Sequence, residues 1–141
     1  GCAAMKTPLL LDTCALIWSA TGGDQPKLRQ HLRAAYEGSV QIWISPISAW
    51  EIGQLVALRR ITLARPALSW FEQVVAQSGA RLADLGPKVL MASSDLPDEL
   101  HRDPADRIII ATAREYGLRL VTRDRKILDY ADKGHLMALE C

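Results

Sequence analysis

A disulfide framework is the first thing this chain lacks: its 141 residues hold three cysteines, Cys2, Cys14 and Cys141, an odd number without framework spacing. That usage points to a reducing, cytoplasmic setting. No apolar run approaches the ~20 residues that cross a bilayer, and no charged segment followed by a hydrophobic one opens the chain, so a soluble protein is expected. Charge of one sign is missing too. With 17 basic and 16 acidic residues the formal net charge is +1, which excludes a global positive field and requires that any polyanion be caught locally. Paired metal-ligating histidines are absent: His31, His101 and His135 stand apart from one another and from the cysteines, which argues against zinc and leaves each histidine as structural or solvated. Gly22 and Gly23 precede Lys27 without the glycine spacing or hydroxyl residue of a phosphate-binding loop, and they make no dinucleotide fingerprint. No serine sits in a nucleophile elbow.

What is present is a core. Hydrophobic residues make up 49% of the chain, enough for one domain of ordinary size. Gly1 to Ala4, ahead of Met5, read as a leftover of recombinant expression, so the domain is expected to span residues 5–141. Pro8 to Asp12 form a short apolar run ending in an acid, as in a strand buried on both faces. A helix is predicted over 13–19, a break at Gly22-Gly23, a polar helix over 25–36, and a strand over 40–44 that sits nearer an edge. Ser45-Pro46 open a helix to about Ala57, with Ile47, Trp50, Leu55 and Leu58 as its apolar face. Leu68, Phe71, Val74 and Val75 mark the next helix, ended near Gly79. A strand over 80–85, a short helix over 87–92 and a polar loop over 93–98 follow. The last elements are a helix over 104–116 closed by Gly117, a strand over 118–122, a helix over 126–131 and an edge strand over 136–139. Alternating strands and helices imply a parallel sheet covered on both sides. Trp18, Trp43, Trp50 and Trp70 fall on apolar faces and suit core or interface better than base stacking.

The segment HRDPADRIIIATA, from His101 to Ala113, sets two acids before an apolar helix. Asp103 suits the N-cap, Pro104 the first helical position, and Asp106 the first turn, where the helix dipole favours an anion. Ligands of open parallel sheets bind beyond the carboxyl ends of the strands. Asp12 ends the first strand, Asp124 lies just past the strand 118–122, and the helix carrying Asp106 starts at the same edge. Glu51 rides in the first turns of a helix that also starts there and can join them. Carboxylates crowded in this way repel one another unless a cation sits between them. A hard divalent ion such as Mg²⁺, which prefers oxygen ligands, fits such a group.

The stretches LLLDT, SAWEI, DPADRIIIATA and VTRD, in this order from about Leu9 to Tyr130, make the chain resemble PIN-domain proteins, specifically VapC-type toxins of toxin–antitoxin pairs. The resemblance implies an α/β fold, a three-layer α/β/α sandwich around a central, mainly parallel sheet. It implies a Mg²⁺- or Mn²⁺-dependent endoribonuclease whose metal-binding and catalytic acids are Asp12, Glu51, Asp106 and Asp124. Asp103 then caps its helix and supports the ligands from behind. Thr13 and Thr122 can orient ligands or waters, and Arg102, Arg107, Arg123 and Arg125 can hold RNA phosphates. Family membership further implies an RNA substrate, a homodimer and an antitoxin whose C-terminal segment lies in a groove between helices. The helix 68–75 and the region of Trp43 and Trp50 are the candidate contact surfaces. The chain departs from its relatives at Cys14, where His is frequent, and at Ala105, where an aromatic residue is frequent.

Two other readings compete. A phospho-acceptor receiver domain also gathers acids around Mg²⁺, but it needs an acceptor Asp at the end of a central strand, and the second strand here ends as WISP. A non-catalytic domain that binds RNA or protein and keeps only the fold accounts poorly for four retained acids.

Overall fold

A computed structural model describes residues 7–23 and 25–141; the expected expression leftover, Gly1 to Ala4, lies outside the described residues. The elements run β1 (Leu9–Leu11), α1 (Thr13–Thr21), α2 (Pro26–Glu37), β2 (Ile42–Ile44), α3 (Ile47–Ala57), α4 (Ala67–Ser78), β3 (Arg81–Leu82), α5 (Pro87–Ser94), α6 (Pro104–Tyr116), β4 (Arg119–Thr122), α7 (Arg125–Asp132) and β5 (Met137–Glu140). The five strands form one sheet in the order β3-β2-β1-β4-β5, and every pairing is parallel. The register sets Leu10 between Trp43 and Leu120. The strand expected near an edge, β2, lies one place in, covered by the two-residue β3.

Leu9, Leu10 and Leu11 are all buried because β1 has a neighbour on each side and helices on each face, which requires an unbroken apolar run instead of an alternating one. Strand pleating still divides them. Leu9 and Leu11 pack with Ile44, Val121, Leu16, Leu28, Ile52 and Phe71 on the face covered by α1 to α4. Leu10 packs with Leu120, Ile109, Ile110, Ile127 and Tyr130 on the face covered by α6 and α7. Helix layers therefore enclose the sheet on both sides, as the three-layer expectation requires.

The helices start and stop where short-range chemistry dictates. Asp12 caps α1 by accepting from the Ala15 N–H (2.8 Å). Asp103 caps α6 through the Asp106 N–H (3.0 Å), with Pro104 in the first turn. Asp124 caps α7 through the N–H groups of Lys126 (2.8 Å) and Ile127 (3.3 Å). Gly117 ends α6 in the left-handed region at φ 65°, which glycine adopts without steric cost.

Two expected apolar faces are corrected. In α3 the buried residues are Ser48 and Ile52, while Trp50 is 55% and Leu58 61% exposed. The inward face of this helix carries a polar task beside Ile52, described below, so hydrophobicity alone does not mark its buried stripe. In α4, Trp70 and Phe71 face inward and Leu68 is 69% exposed.

Candidate metal centre

The carboxyl ends of β1, β2 and β4 open onto one rim. Asp12 directly follows β1, and Asp124 follows β4 by two residues. Asp106 projects from the first turn of α6, and Glu51 stands one turn into α3. All four line a single cavity of about 290 Å³, together with Thr13, Cys14, Trp18 and Arg123. Side chains separated by more than a hundred positions in the chain thus share one pocket.

Hydroxyl groups hold two of the acids in place. The Thr13 hydroxyl donates to Glu51 Oε1 and lies 2.9 Å from Ser48 Oγ, which explains why Ser48 is buried in α3. Thr122, fully buried, bonds the Asp12 carboxylate through its side chain and accepts the Asp124 N–H at 3.1 Å. Asp103 reaches the Asp106 backbone and does not line the cavity, so it acts as the cap.

Burial pushes the Asp12 carboxyl above its ordinary range; bonds from Thr122 and the Ala15 N–H oppose this, and the charges of Asp106 and Asp124 add to it. Burial likewise raises Glu51 against the pull of the Thr13 hydroxyl, with Asp106, Asp103 and Asp12 contributing. Asp106 is raised first by burial, opposed by the bond to His101, and raised further by Asp103 and Asp124. Three carboxyls that all resist ionisation in one pocket are the electrostatic mark of a site short of positive charge. The same surroundings push the Cys14 thiol up to about 11, chiefly by burial, so it remains a neutral wall at physiological pH. Oxygen dominates the donor set, with four carboxylates and the Thr13 hydroxyl around the cavity. Such a set fits a hard divalent cation better than a soft one.

The four arginines diverge. Arg123 lines the cavity, stacks over the Trp18 ring with Cζ 4.4 Å from its centroid and donates from Nε to the Cys141 carbonyl (3.1 Å). Arg102 is exposed, and Arg125 pairs with Glu140 (3.3 Å) and Asp129 (3.9 Å) at the surface. Arg107 points elsewhere. Its Nε donates to the Ser93 carbonyl at 2.9 Å, and one terminal nitrogen reaches the Leu100 and His101 carbonyls at 3.4 and 3.5 Å, so its guanidinium binds the chain's own backbone.

Sequence reasoning missed His101, read above as structural or solvated. Its Nε2 lies 2.8 Å from Asp106 Oδ2, and His101, Asp106 and Asp124 offer donor atoms within 4.8 Å of one another. The available signal was position: a residue two places before an N-cap lies beside the first turn, where Asp106 stands. No acid follows β2, which ends at Ile44 and leads into Ser45; the acid at the end of the central strand is Asp12, after β1, and its side chain caps α1 and lines the cavity with the other three carboxylates.

The PIN domain family model matches residues 9–133. Ribonuclease VapC22 of Mycobacterium tuberculosis is 37% identical over 123 residues, covering 87% of this chain and 91% of the relative. Among solved structures, VapBC2 of Rickettsia felis bound to a promoter DNA fragment superposes with a TM-score of 0.69 at 15% identity, over 94% of this chain and 97% of that one. A toxin-antitoxin complex from Klebsiella pneumoniae superposes with a TM-score of 0.57 at 24% identity, over 84% and 88%. FitAcB of Neisseria gonorrhoeae does so with a TM-score of 0.57 at 21% identity, over 93% and 96%. These structural likenesses bear on the fold, and the sequence match bears on descent: the chain belongs to the PIN-domain family, among its VapC-type members.

Proposed function

We propose that this chain is an endoribonuclease toxin that hydrolyses RNA phosphodiesters with Mg²⁺ or Mn²⁺ held by Asp12, Glu51, Asp106 and Asp124, and that a cognate antitoxin restrains it. The observation that carries this reading is the convergence of four carboxylates on one cavity, three of them raised by burial, in a chain 37% identical to a ribonuclease. The described residues, 7–23 and 25–141, share one sheet and are proposed to act as one folding unit. When bound, the cation would lower the pKa of a water and offset charge on the phosphoryl oxygens.

The chain's own residues do the rest. Thr122 and the N–H of Ala15 hold Asp12, and Thr13 holds Glu51, so neither carboxylate must reorganise when the substrate arrives. A carboxylate left outside direct coordination, Glu51 or Asp124, accepts the proton of the attacking water. Arg123 at the cavity wall supplies local positive charge for RNA phosphates that a net charge of +1 denies the whole molecule, and the exposed Arg102 and Arg125 are further candidates to hold phosphates along the strand.

An apolar groove of about 520 Å³ runs between α1, α2 and α4, lined by Leu16, Leu32, Tyr36 and Val74 among others. It is the seat proposed for an antitoxin segment. Helix α1 serves both places, giving Leu16 and Ser19 to the groove and Thr13, Cys14 and Trp18 to the cavity. A homodimer is proposed through the exposed Trp50, Leu58 and Leu68 of the α3–α4 face.

Purified protein incubated with RNA should cut it when Mn²⁺ or Mg²⁺ is present and stop when EDTA is added. Asp106→Asn should abolish the cutting. Undiminished cleavage by that variant would remove the assignment of the site.

A further inference from the structure

His101 belongs to no acid motif, yet it makes the closest side-chain contact to Asp106, with Nε2 2.8 Å from Oδ2. Its ring is only 17% exposed, and its Nδ1 is buried without a hydrogen-bond partner among the described residues. A bare buried lone pair costs less than a bare N–H. The arrangement therefore fits a ring that carries its proton on Nε2 and donates it to the carboxylate.

The loop that carries the ring is held on two sides. Arg107 bonds the carbonyls of Ser93 and Leu100 and reaches that of His101. On the other side the Tyr130 hydroxyl donates to the Pro97 carbonyl at 2.5 Å, and Leu96 and Leu100 pack onto the core beside Ile109 and Tyr130. The loop that carries the imidazole is thus tied to both helices that flank β4, by Arg107 of α6 and Tyr130 of α7. Asp106 has like charges beside it, Asp103 and Asp124, which would turn a carboxylate without the His101 contact outward about its side-chain torsions.

We propose that His101, anchored by Arg107, is a positioning residue: it clamps one oxygen of Asp106 so that the other faces the cation. This rests on Asp106 being a metal ligand, as proposed above. Outer partners of this kind alter metal affinity by about 10- to 100-fold when removed. His101 is the donor that orients the ligand and is not itself a ligand.

The test is a Mn²⁺ titration of the full chain with free Mn²⁺ counted by electron paramagnetic resonance, comparing wild type with His101→Ala, His101→Phe and His101→Gln, and with Asp106→Asn. Folding is checked for each by circular dichroism. His101→Ala and His101→Phe should weaken Mn²⁺ binding by about 10- to 100-fold, and His101→Gln, whose amide N–H replaces Nε2–H, should recover most of it. A purely structural role would not show that recovery. On the Asp106→Asn background the His101→Ala change should add little, because both act on one carboxylate. Wild-type affinity in a folded His101→Ala or His101→Phe protein overturns the proposal while leaving the acidic site intact. Unchanged affinity in Asp106→Asn instead overturns the reading of the site beneath it. Electron spin echo modulation of Mn²⁺ in the wild type needs no variant: absence of a directly bound nitrogen is expected, and a strong ¹⁴N coupling would make His101 a ligand and sink the positioning role.

Discussion

Replacing Asp12 by Asn should stabilise the metal-free protein even as it destroys the site. The exchange keeps the shape and the hydrogen bonds. Asn is as good an N-cap as Asp, so the 2.8 Å bond from the Ala15 N–H survives, and the amide oxygen can still take the Thr122 hydroxyl. What disappears is a charge that burial disfavours and that Asp106 and Asp124 repel. Like charges at ~6 Å under an effective dielectric near 20 repel by roughly 3 kcal/mol. Loss of the favourable helix-dipole term takes back about 0.3–1 kcal/mol, and partial protonation takes back more. A net gain of about 1–3 kcal/mol remains. Unfolding entropy of about 2.1 cal/mol/K per residue gives this chain about 0.3 kcal/mol/K, so Tm should rise by roughly 3–10 °C.

The pH dependence follows from the direction of the shift. The folded-state pKa of Asp12 is raised above its ordinary value of 3.8. Its relative stabilisation is therefore full below that value and is lost as pH climbs through the raised one. Wild type and variant should accordingly melt together in acid and separate toward neutral pH. Thermal melts in EDTA across that range, followed by circular dichroism, are the assay. With Mn²⁺ added the order should reverse, because only the wild type gains binding energy. An Asp12→Asn protein that melts below wild type in EDTA at neutral pH would refute the account of a pocket strained by its own charge.

Other expectations are simpler. Mn²⁺ at about 100 times its Kd should add about 2.7 kcal/mol to wild-type stability, visible as a melt raised by roughly 9 °C that EDTA reverses. Glu51→Gln should lower RNA cleavage by about 10²-fold or more with the fold intact, measured by initial rates on a labelled RNA. Arg123→Ala should weaken RNA binding and flatten its log–log salt dependence by about one unit if the guanidinium meets a phosphate; an unchanged slope would assign it to the Trp18 wall alone. Leu10→Ala, at a site with no exposure and neighbours on every side, should cost about 2–5 kcal/mol in urea unfolding.

The features legible in sequence were those set by short-range chemistry. Helix α6 runs from Pro104 to Tyr116, as the Asp-Pro entry and the Gly117 exit require, and the acids at strand ends lie at one rim because parallel topology leaves them nowhere else. Long-range pairing was less visible. Trp50 looked like a core residue by spacing, but the inward side of α3 presents Ser48 to the Thr13 hydroxyl and Ile52 to the core, which leaves the indole outside. Arg107 looked like one more rim cation, and only coordinates reveal that its guanidinium is committed to carbonyls of the preceding loop. His101 was hidden for the same reason: a lone histidine has no periodicity, and its meaning comes from a neighbour five residues on.

The order of strands has a consequence for synthesis. β1 is made first yet sits in the middle of the sheet, and one of its two neighbours, β4, begins at Arg119. A chain emerging from the ribosome therefore holds Asp12 for more than a hundred residues before Asp124 exists to meet it. Until β4 has been translated, the first strand has a vacant flank and the four-acid pocket cannot assemble. A chain halted before Arg119 lacks the second neighbour of β1 and one of the four acids of the cavity, so the pocket's assembly waits on a segment made late.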